Sequence, residues 1–128
     1  MAEFTKRNLK DDVENASERF GLAPNMEARF ARKAMGLEGG GFSYQKLAPS
    51  FRAPAHRHKT HEEVYVVISG GGRVKVEDEL HDLRQWDALR FPPRTARAFE
   101  AGPQGLELLA IGFGEGGDVE VLESFWEA

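Results

Sequence analysis

Cysteine is absent from the 128-residue chain, which excludes a disulfide framework and any chemistry that needs a thiolate. Long apolar runs are absent as well. The longest, Val64 to Ile68, falls far short of the roughly 20 residues that a helix needs to cross a bilayer. Nor is there an excess of positive charge: 17 Lys and Arg stand against 21 Asp and Glu, a net charge of -4, with the two signs interleaved. The basic face that a nucleic acid requires is therefore missing. The opening segment, MAEFTKRNLKDDVE, lacks the apolar stretch of a signal peptide. The expectation is a cytoplasmic protein with no nucleic-acid or membrane partner.

What is present suffices for one core. A chain of this length with 41% hydrophobic residues is read as a single domain over residues 1–128. Val13, Ala16 and Phe20 recur at a spacing of three and four, which permits a short amphipathic helix over Lys10 to Phe20, ended by Gly21 and Pro24, so the N-terminal segment is expected to be helical or irregular. Beyond it the signals are those of strands. Met26, Ala28 and Phe30 alternate with other residues, Gly39 to Gly41 reads as a flexible turn, and FSYQKLA follows as a strand. Val64 to Ser69 is rich in β-branched residues, Gly70 to Gly72 reads as a hairpin turn, and RVKVE returns. A reversal at Glu77 to Glu79 leads to LHDL and DALRF. Arg97 to Glu100 and Leu106 to Phe113 then follow, with Gly102-Pro103 as the turn between them. About eight short strands and no second helix predict an all-β sandwich or barrel.

The segment HRHKTHEEVYVVISG carries the chemistry. On a strand, residues two apart share a face, so His56 and His58 can aim at one point. Glu63 lies five positions beyond His58, and an unbroken strand would turn it to the other face; the chain must bend or bulge near Lys59 and Thr60. With that bend the three side chains form a two-histidine, one-carboxylate set suited to a divalent iron, manganese, nickel, zinc or copper ion. His61 shares a face with Glu63 and Tyr65 and is a further candidate ligand. Glu62 falls on the opposite face and His81 lies in the charged EDELHDL hairpin, and both are expected in solvent.

This arrangement resembles the first motif of the cupins, small antiparallel barrels that often carry a metal: His-x-His, four residues, Glu, six residues, Gly70. A second cupin motif is expected after a hairpin, and 15 residues separate Gly70 from Trp86 in WDALRFPPRTARAFEA. There Asp87 and Pro92 match. Ser50, Trp86 and Arg94 stand where the family has glycines, Ala101 replaces an asparagine, and Arg97 replaces the histidine that is the fourth metal ligand. The resemblance covers about residues 42–113 and implies a jelly-roll barrel (a double-stranded β-helix) of the small single-domain cupin type. Residues 1–41 and 114–128 would pack on the barrel or on a second subunit of a homodimer, with the apolar pair Phe125 and Trp126 covered either way.

Arg97 separates the functional readings. A guanidinium has no lone pair and cannot be a ligand. In one reading the metal keeps three protein ligands, and Arg97, with Tyr65 and Phe99 beside it, receives a small anionic metabolite for oxidation or isomerisation. In a second, no metal binds, Arg97 pairs with Glu63, and the barrel is a small-molecule binding pocket. In a third, Arg97 points outward into a surface salt bridge. Of Tyr44 and Gln45, on opposite faces of one strand, only one can face inward.

Overall fold

The computed structural model describes residues 2–127. Eight strands form one antiparallel sheet: β1 (Met26–Phe30), β2 (Gly40–Leu47), β3 (Ala55–His58), β4 (Glu63–Val76), β5 (Glu79–Leu83), β6 (Ala88–Phe91), β7 (Arg97–Phe113) and β8 (Val119–Leu122). The helix α1 (Arg32–Met35) is a single turn between β1 and β2, and a 3-10 turn spans Phe125–Glu127.

The two long strands organise everything else. The first part of β4, Glu63 to Val66, pairs with β6, and its last part, Gly72 to Val76, pairs with β5. Strand β7 lies beside β4 along both parts, and its Leu106 to Phe113 stretch also pairs with the whole of β2. Its first residue, Arg97, pairs with His56 of β3, which in turn pairs with β8. Each long strand therefore belongs to two leaves of the sheet, one running β1-β2-β7-β4-β6 and the other β8-β3-β7-β4-β5. The leaves fold over one core, in which Tyr65, Val67, Phe91 and Leu108 of the first meet Val74, Leu83, Phe99 and Ala101 of the second.

The bend between leaves corrects two expectations. Gly70 to Gly72 is no hairpin turn but the bulged middle of β4, and Gly102-Pro103 is no reversal but the middle of β7. The glycines are there because two backbones cross. A Cβ on Gly72 would strike the carbonyl oxygen of Glu100 and lie 2.9 Å from the Gly102 nitrogen, and one on Gly70 would strike the Gly105 carbonyl. Gly40 and Gly41 likewise lie inside β2, opposite Phe113 and Gly112, rather than in a turn.

Of the helical and irregular forms expected for the N-terminal segment, Lys10 to Phe20 takes the irregular one. These residues make a strap of turns laid along β1: Ala16 donates to the Ala28 carbonyl at 2.8 Å, Asn15 Oδ1 accepts from Ser17 and Ala28 nitrogens, and Arg29 Nη1 holds the Val13 carbonyl. Val13 and Ala16 are buried, whereas Phe20 is exposed. Helix formation would remove these bonds to β1 for a segment too short to be helical by itself. At the other end, the tail contacts the sheet. Trp126 Nε1 donates to the Ala53 carbonyl at 3.3 Å, and the Lys75 ammonium lies 4.9 Å from the Phe125 ring centroid.

Ser50, Trp86 and Arg94 all adopt left-handed backbone angles, with φ of 64°, 76° and 71°. The turns of the fold are thus kept although the glycines are gone, at a backbone cost of about 1–2 kcal/mol for each residue. Trp86 is 70% exposed, so its side chain buries little. Trp86→Gly is expected to stabilise the protein by about 0.5–1 kcal/mol after the greater unfolded-state freedom of glycine is deducted, a rise of about 2–6 °C in Tm. A lower Tm in a thermal scan would contradict the strain argument.

Candidate metal centre

Strand β3 sets both imidazoles on one side of the sheet while Arg57 between them turns away to pair with Glu120 at 2.6 Å. The chain then bends at Lys59 and Thr60, where parity requires it to. Asp118 holds that bend: its Oδ2 accepts from the Thr60 and His61 backbone nitrogens, both at 3.0 Å, and its own carbonyl accepts from Lys59. Strand β4 begins at once with Glu63. One donor atom from each of His56, His58 and Glu63 falls within 4.8 Å of the others, and the Nε2 atoms of His56 and His58 lie 3.8 and 3.4 Å from Glu63 Oε1. The histidines come from one leaf and the carboxylate from the other.

Electrostatics act differently on each of these groups. Burial would raise the Glu63 carboxyl, but the two nearby imidazoles and the charge of Arg97 outweigh it and hold the group ionised well below the usual carboxylate range. Burial lowers His56, aided by the Arg97 charge and opposed by Glu63. His58 is raised, first by its hydrogen bond to Glu63 and, against burial, by Asp118. Asp118 Oδ1 lies 2.8 Å from His58 Nδ1. A carboxylate on Nδ1 fixes the orientation of the ring with Nε2 facing Glu63, the second-sphere support that metal-binding histidines use. The donor set, its spacing and this support all fit a divalent transition-metal ion.

Arg97 is inside. Its side chain is 0% exposed, Nη2 donates to Glu63 Oε1, Nη1 donates to the Thr95 carbonyl at 3.1 Å, and the guanidinium carbon lies 4.7 Å from the Phe91 ring centroid. The outward surface salt bridge is thereby excluded. Arg97 Nε is buried with no hydrogen-bond partner among the described residues. Tyr65 and Phe99 pack ring to ring at 4.8 Å, with Phe91 against both. Burial first, and the Glu63 carboxylate second, push the Tyr65 phenol above its ordinary range, so it stays protonated. On β2 Gln45 shares its face with Leu47 of the core and bonds Ser43 at 3.1 Å, so it is the residue that faces inward. Tyr44 lies on the other face, bonded to Glu107 at 2.5 Å.

The structure does not bring His61 into the cluster. The bend turns its Nδ1 to within 3.3 Å of Asp118 Oδ1, and its ring lies over Gly114. Glu62 pairs with Arg90 and His81 with Glu79, both at the surface as expected. Asp118 is the contributor that sequence reasoning missed; the glycine-rich GFGEGGD around it reads only as a loop. A surface cavity of about 720 Å³ lies where the glycines cross, lined by Gly71, Arg73, Glu100 and Gln104, and includes none of the cluster. Approach to the cluster is past the imidazole edges, 23% exposed for His56 and 14% for His58.

Comparison with known proteins agrees with this architecture. A cupin protein from Bacteroides fragilis superimposes with a TM-score of 0.72 at 24% identity, covering 91% of this chain and 89% of that one. Oxalate decarboxylase from Bacillus subtilis superimposes with a TM-score of 0.78 at 19% identity, over 95% of this chain and 33% of that one. An uncharacterized protein of Methanocaldococcus jannaschii is 30% identical over 71 residues, which make up 53% of this chain and 57% of that relative's length. The family model of the cupin domain matches residues 43–112, more than half of the chain, and this protein belongs to the cupin family.

Proposed function

We propose that the protein holds a divalent metal ion through His56, His58 and Glu63 and receives a small anionic metabolite beside Arg97. The observation that carries this reading is the convergence of the three donors within 4.8 Å, with His58 oriented by Asp118. When bound, such an ion supplies Lewis acidity toward a substrate oxygen, which suits an oxidation or an isomerisation. The chain's own residues do the rest. Arg97 offers a fixed cation to the anion, Tyr65 keeps a hydroxyl proton close to Glu63, and the packed rings of Phe91 and Phe99 limit both water and the size of the ligand.

A second reading has its own support. The Arg97–Glu63 ion pair neutralises the site without a metal, as a non-catalytic binding barrel would require. Elemental analysis of protein purified without a metal-affinity tag separates the two. The first reading expects a near-stoichiometric ion whose content falls at least about tenfold in His56→Ala and in Glu63→Ala, because removing one of three ligands weakens such a site severely. Unchanged metal content in the variants would sink it. A metal-free native protein that gains thermal stability from oxalate, and loses that gain in Arg97→Ala, would establish the second.

A further inference from the structure

We infer that metal and anion bind to this site as a cooperative pair: the divalent ion is held tightly only when a small carboxylate from solution enters with it and offsets the buried charge of Arg97. This rests on the metal-binding reading above and adds to it the dependence of one ligand on the other.

The reason is a cation that cannot leave. Arg97 stands opposite His56 in the β3–β7 pairing, and its Nη2 donates to Glu63 Oε1, the oxygen that both imidazole Nε2 atoms also face. An incoming ion and the guanidinium therefore compete for the same carboxylate oxygen. The guanidinium is anchored by the Thr95 carbonyl, packed over Phe91 and sealed from solvent. It remains charged at any physiological pH. With neutral imidazoles, Glu63 and Arg97 sum to about zero charge, and a divalent ion brings the site to about plus two. At a separation of a few ångströms inside a protein, that repulsion weakens metal binding strongly unless another negative charge arrives.

Among the described residues, Asp118 supplies only part of that charge: its carboxylate is bonded to the far nitrogen of the His58 ring and to the Thr60 nitrogen, and counting it still leaves about plus one. A small carboxylate that enters past the imidazole edges together with the ion supplies the remainder without having to reach the buried guanidinium. By linkage, whatever factor the anion adds to metal affinity, the metal adds to anion affinity.

Cobalt(II) titration of tag-free, chelator-treated protein tests this, read by visible absorption in chloride and in acetate at equal pH and ionic strength, with acetate blanks. Acetate is expected to tighten cobalt binding to the native protein at least about tenfold. R97Q, confirmed folded by circular dichroism, is expected to bind cobalt tighter than native in chloride and to respond less than about twofold to acetate. Equal native affinity in the two media, or a full acetate response in R97Q, overturns the coupling and leaves the metal reading standing. Native protein that takes up no more cobalt than His56→Ala in either medium overturns both. If R97Q fails to fold, the native comparison still decides.

Discussion

Arg97→Ala is expected to lower the unfolding free energy by about 3–5 kcal/mol, read from urea denaturation at neutral pH. The size follows from what stays behind. Glu63 is only 13% exposed, and the guanidinium whose Nη2 bonds it is a principal reason that its carboxylate can be ionised inside the barrel. Removing one partner of a buried pair leaves an uncompensated charge, which is far worse than never having had the pair. The Arg97→Met, Glu63→Gln double variant should therefore be closer to native stability than Arg97→Ala, because both charges leave together and the volume is retained. A loss below 1 kcal/mol in Arg97→Ala would show that the ion pair is not the compensated charge described above. The measurement belongs on metal-free protein, where Arg97 is the principal counter-ion.

Gly72→Ala should be still more damaging, with a loss of about 4 kcal/mol or more that leaves little folded protein at ambient temperature. The new methyl would meet three backbone atoms at once: the Glu100 oxygen, the Gly102 nitrogen at 2.9 Å and the Ala101 Cα at 3.0 Å. None of these can rotate away as a side chain could, and relief requires β4 and β7 to separate where both bend. Gly39→Ala is the matched control. Nothing lies within 4 Å of the added methyl and its φ is not left-handed, so its stability should stay within about 0.5 kcal/mol of native. Comparable denaturation midpoints for the two variants would refute the crossing as the reason for glycine at residue 72.

The contrast between these glycines also explains what could be read from the chain. Turns and close crossings both select glycine, and local sequence does not distinguish them; the residue that forbids a Cβ at Gly72 is Glu100, far along the chain. Segmenting β4 and β7 into separate strands was the natural consequence. The cluster was legible for the opposite reason. The period-two parity between His58 and Glu63 demands a bend, and a bend at Lys59 and Thr60 is what the structure has. Asp118 was not legible, since its partners Thr60 and His58 are brought to it only by the β3–β8 pairing, and its neighbours carry no periodic signal. At the N-terminus the three-and-four spacing was present, but the hydrogen bonds that Asn15 and the Val13 carbonyl accept from Ala28 and Arg29 of β1 prevailed over a helix of that length. The missing glycines at Ser50, Trp86 and Arg94 changed the residues and not the backbone, because φ is set by the turn that the strands impose.

The placement of the donors on different leaves has a mechanical consequence. His56 and His58 ride on β3, and Glu63 opens β4 in the facing leaf, so a single ion ligated by all three would clasp the two leaves at one rim. The glycine crossing fastens the leaves elsewhere along the same strands, where β4 and β7 bend. Prising the leaves apart at this rim would have to break metal–ligand bonds early, whereas the same motion in metal-free protein meets there the Arg97–Glu63 pair and the weaker contacts of the imidazoles with Glu63. A bound ion would therefore act on the rate of opening as well as on its equilibrium, and its loss would be felt first as faster hydrogen exchange along β3 and the start of β4.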